Sequence, residues 1–414
     1  MARPRTFDED VVLDRAMEVF RRSGYEGATM AMLTAAMGLS APSIYAAFGN
    51  KSGLFEAVLE RFSACEKQRR DRILSAPSAG QVAERLLFDA AENLAGSASA
   101  AGPFPFTVGT ALSAGSDDIA SLHARHRSAV DIALQERFER AIAEGDLPDQ
   151  ANARDLALDL LTILDGMAVR AAAGQKAGEL RSIAERAFAA WKSGLSSTQP
   201  ASSIRAATRE GRGRPRQFNR EDAVDAAMRV FWERGYDGAS LTDLTDAMGI
   251  TRSSLYAAFG SKQELFLQAL DRYEEGRLRI VREALDAPSL DDAIGGLLSR
   301  AVAAQCSPSS PRGCLMAVNA MQGSDEARTI RNEVLNRDRR LAALITERIE
   351  RARQEGELAR DTDVAGLSAH IRAVLQGIVA GGHAGLEEGK LRALTDNFEK
   401  TWNFPSNRTV HNKH

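Results

Sequence analysis

The sequence predicts an all-α fold built as two tandem copies of one unit, and three observations carry that prediction. The stretch from Arg3 to Phe62 recurs from Arg214 to Tyr273: laid side by side from Ala2 and Gly213 without a gap, 29 of 61 paired positions are identical. A repeat at about half the chain length is too long for a solenoid and means two complete domains of one kind. Apolar residues recur at helical spacing, as in Val12, Ala16, Val19 and Phe20 and again in Ala223, Ala227, Val230 and Phe231. No segment alternates with period two over any length, so no sheet is predicted.

Each copy begins with three helices and a fourth leaving them. Gly24 and Gly235 are expected to stop the first helix. Thr29 and Ser240 can cap the second, and Ser240 has Asp243 three residues on. Gly38-Leu39-Ser40 and Gly249-Ile250-Thr251 make a tight turn, after which Ser40 and Thr251 cap a short third helix holding Tyr45 and Tyr256. Two short helices about a glycine turn are the helix-turn-helix plan, whose second helix enters a major groove. Lys51 and Lys262 open the fourth helix, capped by Asn50 in the first copy and by a Ser261/Glu264 capping box in the second.

The residue types suit phosphate. Ser40, Thr251, Tyr45 and Tyr256 carry hydroxyls, Lys51 and Lys262 add cations, and helix N-termini offer backbone N–H groups to anions. The third helices differ where base contact is expected: Ser40-Ala-Pro-Ser43-Ile-Tyr45 against Thr251-Arg-Ser253-Ser-Leu-Tyr256. Arg252 can make a bidentate contact to guanine or bind a phosphate, whereas Ala41 and Pro42 offer no donor and at most touch a thymine methyl. Arg3 and Arg5, and likewise Arg214 and Arg216, flank a proline just before each head, as arms that enter a narrow minor groove do.

The words GYEGATM, LTAAMGLS and SIYAAFGNKSGLF, with their second-copy partners GYDGASL, LTDAMGITRSSLYAAFGSKQELF, resemble the TetR/AcrR family of one-component transcriptional regulators. With the helical segments behind them the two copies cover nearly the whole chain. The resemblance implies heads at 1–50 and 214–261 that bind double-stranded DNA, and helical effector-binding and dimerisation bodies at 51–192 and 262–404. Residues 193–213, rich in Ser, Thr, Gly and Arg, read as a flexible linker, and 405–414 as a disordered tail. About twenty linker residues at roughly 3.3 Å each span about 65 Å, enough to return to the DNA end of the molecule.

In the first body, helices are expected at 79–95, 104–112, 117–144, 151–173 and 178–191, and in the second at 265–287, 290–305, 315–321, 325–355, 362–382 and 388–402. Glu144-Gly-Asp-Leu matches Glu355-Gly-Glu-Leu and Trp191 matches Trp402, so the duplication includes the bodies. Small residues crowd the last helix pair of each: Gly166, Ala168 and Ala171–Ala173, then Gly377, Ala380, Gly381 and Gly382. They let helices approach closely. In the resembled family these two helices pair across a dimer axis in a four-helix bundle; the residues alone also fit Ala-rich core helices.

Hydrophobic content of 44% suits a packed globular protein. A formal net charge of −3 does not by itself suggest DNA, but Arg205, Arg209, Arg212, Arg214 and Arg216 concentrate basic charge locally. Three cysteines make no disulfide framework, and neither a secretory signal nor an apolar run long enough to span a bilayer is read, so the expectation is a cytoplasmic protein without membrane contact. No catalytic constellation stands out, and no cofactor or metal is expected; His123 and His126 sit three apart on a helix with no third ligand. Cys314, in Pro311-Arg-Gly-Cys-Leu beside Arg312, is a candidate reactive thiol with Cys306 to resolve it, or else a buried inert cysteine. Its counterpart is Phe106, so these three positions mark the candidate effector pocket.

The implied function is a repressor that binds an operator through paired heads and is released by an unidentified small-molecule effector. The chain acts as an intramolecular pseudo-dimer or as a homodimer of chains. The alternative is a sensor or partner-binding protein in which one head no longer reads DNA.

Overall fold

The computed structural model describes residues 7–96, 117–172, 174–194, 219–320 and 325–401, and among them every regular element is a helix. The arms at Arg3, Arg5, Arg214 and Arg216, the linker beyond Gly194, the tail, the expected helix over 104–112 and Phe106 lie outside the described residues, as do the side chains of His123 and His126.

The first head comprises α1 (Glu9–Gly27), α2 (Met30–Met37) and α3 (Ala41–Phe48), and α4 (Lys51–Leu74) leads away from it. Val12, Ala16, Phe20, Leu33, Ile44, Leu54 and Phe55 form its core. After α5 (Ala79–Gly96), α6 (Asp117–Ala143), α7 (Ala153–Ala172) and α8 (Ala177–Gly194) complete the described part of the first body. The second head is α9 (Arg220–Gly238), α10 (Leu241–Met248) and α11 (Arg252–Phe259), with α12 (Lys262–Leu285) leaving it. Its core uses the paired positions Ala223, Ala227, Phe231, Leu244, Leu255, Leu265 and Phe266. The second body continues with α13 (Leu290–Cys306), α14 (Leu315–Ala320), α15 (Asp325–Gln354), α16 (Val364–His383) and α17 (Glu388–Thr401).

The offset that pairs Ala2 with Gly213 also pairs the polar clamps of the bodies. Asp146 accepts from the Ala79 N–H at 2.5 Å, and Glu357 accepts from the Leu290 N–H at 2.6 Å. Arg137 donates to the Ala76 carbonyl at 2.9 Å, and Arg348 to that of Ala287 at 3.4 Å. Each clamp fills a helix end that has no intrahelical partner. Gly145 and Gly356, at φ 76° and 80°, end the long helices α6 and α15 in the left-handed conformation that glycine adopts without a Cβ penalty.

The two halves meet through the glycine-bearing helices. α7 packs along α16, with α8 and α17 completing a four-helix arrangement. A Cβ on Gly166 would strike the backbone oxygen of Ala373, and one on Gly377 that of Thr162. These contacts are reciprocal, since Thr162 pairs with Ala373 and Gly166 with Gly377 under the repeat offset; such exchange is the mark of a two-fold interface. Arg186 of α8 donates to the Asp363 carbonyl at 2.6 Å and pairs with its carboxylate at 2.9 Å. At the other end Asn397 donates to Asp159 at 3.5 Å. His370, 5% exposed, stacks on Phe398; burial and then the Arg186 charge push its pKa down to about 4, so it is neutral at neutral pH.

The expected break at Gly235 is present, where φ 70° and ψ 173° interrupt α9. Two local expectations differ. Ser261 caps Glu264, but the Glu264 carboxylate bonds the Ser261 hydroxyl rather than its backbone N–H, so the box is half made. One apolar run does reach spanning length: α16 is long and apolar enough to cross a bilayer, but its apolar surface is spent on α7 and the second-body core.

Candidate nucleic-acid interface

The recognition geometry is set by caps. The Thr29 hydroxyl accepts from the Met32 N–H at 3.2 Å, and Ser240 and Asp243 form a complete capping box. Gly38 and Gly249, at φ 67° and 65°, turn the chain, and α2 meets α3 at 93°. Ser40 then accepts from the Ser43 N–H at 3.3 Å and Thr251 from the Ser254 N–H at 3.2 Å. The partner of Ser43 under the repeat is thus Ser254, and the Ser253 hydroxyl also lies 2.9 Å from that of Thr251. These bonds satisfy only some of the first-turn N–H groups, leaving others free for an anion.

Ile44 and Leu255 pin each recognition helix to its core while the next residue faces out: Tyr45 is 47% and Tyr256 49% exposed. Packing therefore covers about half of each tyrosine and leaves the rest exposed. Lys51 and Lys262 are placed by a partner the sequence reading passed over. Their ammonium groups sit 4.5 Å from the ring centroids of Tyr25 and Tyr236, the tyrosines of the two Gly-Tyr words. Those rings are themselves held edge-on by Phe55 and Phe266. The recurring signal was the word GY preceding a lysine by a fixed distance in both copies. Arg252 lies exposed at the first turn of α11 and donates to the Thr242 hydroxyl at 3.0 Å, a bond that base contact must share or replace. At the paired positions the first head has Ala41 and Ala31, so no such group exists there.

Each head is braced to its leaving helix by one matched ion pair. Arg61 binds Asp14 at 2.6 Å and Arg272 binds Asp225 at 3.1 Å. α1 of the first head lies against α9 of the second.

Behind the second head is a cavity of about 460 Å³. Its wall includes Met228 and Trp232 of α9, Tyr273 and Arg277 of α12, Cys314, and Val169 from the first half. A molecule of this size class fits such a space. Cys314 is 7% exposed, and the Tyr273 hydroxyl lies 3.2 Å from its sulfur. Burial, then the neighbouring Cys314, holds the Tyr273 pKa well above the usual phenol value, so its proton stays on. Gln305 grips the turn before Cys314 from both sides, accepting from the Gly313 N–H at 2.6 Å and donating to its carbonyl at 3.2 Å. Gly313 has φ 93° and a close His383 ring, so no side chain fits there. Cys306 is half-buried outside this wall, and burial pushes its thiol pKa up. From the same segment Asn319 reaches the head: its carbonyl accepts from the Tyr236 N–H at 2.7 Å, immediately after the break at Gly235.

Two stretches, 12–58 and 223–269, match the family model for bacterial regulatory proteins of the tetR family, and 292–398 matches the tetracyclin repressor-like C-terminal domain. The chain is 29% identical over 197 residues to the HTH-type transcriptional repressor ComR of Escherichia coli, covering 47% of this chain and 93% of that protein. It is 32% identical over 161 residues to YezE of Bacillus subtilis, an uncharacterized HTH-type transcriptional regulator, covering 38% and 83%. Among solved structures it is similar to a cysteine-substituted TetR family regulator, CifR, in complex with a 26-base-pair operator, at 39% identity and a TM-score of 0.44, covering 46% of this chain and all of that one.

Proposed function

The chain belongs to the TetR family of bacterial regulatory proteins, and on that premise we propose that it is a transcriptional repressor working as a single-chain pseudo-dimer. The observation that carries this reading is the reciprocal glycine contact of α7 and α16, which joins two complete head-and-body units within one chain. In this reading Tyr45, Tyr256, Lys51, Lys262 and the caps at Ser40 and Thr251 hold phosphates, which positions the heads without reading sequence. Arg252 supplies base readout in the second head, and the arms at Arg3, Arg5, Arg214 and Arg216 enter the minor groove. Double-stranded DNA as partner makes the cytoplasm the working compartment.

The cavity is the effector site of this proposal. Head, leaving helix, body and first-half residues share its wall, so a molecule that fits better when the head has moved shifts the population away from DNA binding. Footprinting on DNA flanking the gene, with light scattering of the free protein and the complex, tests the reading. We expect a mass near 44.7 kDa for the free chain and one chain across two half-sites. A doubled mass over four half-sites would sink the pseudo-dimer, and equal affinity for operator and unrelated DNA would sink the repressor.

A further inference from the structure

Arg277 stands in the cavity wall, and among the described residues no carboxylate is hydrogen-bonded to it. Among the described residues its one hydrogen bond is to the Met316 thioether sulfur at 2.7 Å, a weak acceptor. The nearest acids are engaged elsewhere: Asp338 pairs with Arg372, and Glu274 takes Arg337 at 2.9 Å and Arg340 at 3.3 Å. Burial opposes the Arg277 charge and the neighbouring Cys314, Tyr273, Asp338 and Glu274 offset it through space, holding the guanidinium charged; an anion entering the cavity would add the direct charge-assisted hydrogen bond that none of them makes. Three further atoms on the same wall have no hydrogen-bond partner among the described residues: the indole N–H of Trp232, Nε of Arg372 and the amide oxygen of Gln376. Ile280, Leu297, Leu375 and Val379 give the wall an apolar part.

We propose that this cavity takes a small organic anion, its acidic group on Arg277 and its apolar body against Leu297, Leu375 and Val379. The inference rests on the reading of the cavity as the effector site, and it names the ligand class. The Trp232 N–H offers a second donor to the acidic group. Arg300 on the same wall disfavours a cationic ligand, while Asp338 there is taken up by Arg372.

Two fluorescent probes of like shape test it on the full chain: anilinonaphthalene sulfonate, an anion, and phenylnaphthylamine, which lacks the sulfonate. The wild type should bind the sulfonate about tenfold or more tightly than the neutral probe, the gain expected of a charge-assisted hydrogen bond. Arg277→Met should remove that preference and leave the neutral probe's affinity unchanged, which also reports that the cavity has folded. Arg277→Lys should keep most of it. Equal affinities in the wild type, or a preference that survives Arg277→Met, would overturn the assignment. The operator footprint, taken with each probe at saturation, separates the two readings. Anion preference with an unchanged footprint upholds the ligand class and overturns the effector role; release by both probes alike, without anion preference, does the reverse.

Discussion

Tyr45 and Tyr256 show how one side chain serves core and surface at once. The neighbouring Ile44 and Leu255 are fully buried, and the turn of the helix carries each tyrosine out. Lys51 and Lys262 gain direction from an aromatic ring, which restrains a long side chain at a stabilisation of about 0.5–1 kcal/mol. Arg252 differs from both in having no counterpart in the first head. Arg252→Ala should relax selectivity at one base pair and cost about 1–3 kcal/mol there. Lys262→Ala should weaken all sequences by a similar factor and lower the salt slope. Binding measured across a library of operator variants distinguishes the two. A uniform loss in Arg252→Ala would make that residue a phosphate contact.

At the scale of helices, the α7–α16 crossing is governed by what is missing from two positions. Gly166 and Gly377 face backbone rather than flexible side chains, so an added methyl has nothing to displace except a helix. Gly377→Ala should lower stability by about 1–3 kcal/mol in denaturant titration, through overpacking. Gly178→Ala is the matched control, because its Cβ meets nothing within 4 Å and alanine favours the helix. That variant should be neutral or slightly more stable. If both substitutions shift the midpoint alike, close approach at Gly377 is not what holds the halves.

For the whole molecule, the consequence of duplication is asymmetry. A homodimer presents identical heads to a palindrome, whereas this chain presents Ala41-Pro42 on one side and Arg252-Ser253 on the other. Its operator should therefore carry unequal half-sites about one helical turn apart. An operator rebuilt with two copies of either half-site should bind at least about tenfold more weakly, since each mismatched base pair costs about 1–3 kcal/mol. Symmetrised and natural operators of equal affinity would mean that the two heads read alike.

The repeat, the helical periods and the cap residues were legible from the order of residues alone, because each depends on neighbours within one or two turns. That is why the Ser40 and Thr251 caps, the turns at Gly38 and Gly249 and both copies of the head could be placed from the sequence. Gly235 marks the limit of local reasoning: just past the break it makes in α9, the Tyr236 backbone N–H is accepted by the side-chain carbonyl of Asn319, 83 residues on. The glycines of α7 and α16 were visible as small residues, but equally suited an Ala-rich core until Ala373 and Thr162 were seen against them. Cys314 likewise had a reactive and an inert reading, and nothing in its vicinity in sequence pointed to Tyr273 or to the cavity. Arg277 was not singled out, since an arginine on a helix is unremarkable until the acids around it are found to be paired with others. Those facts belong to tertiary structure because close approach, burial and counter-charge depend on which distant segments share a wall.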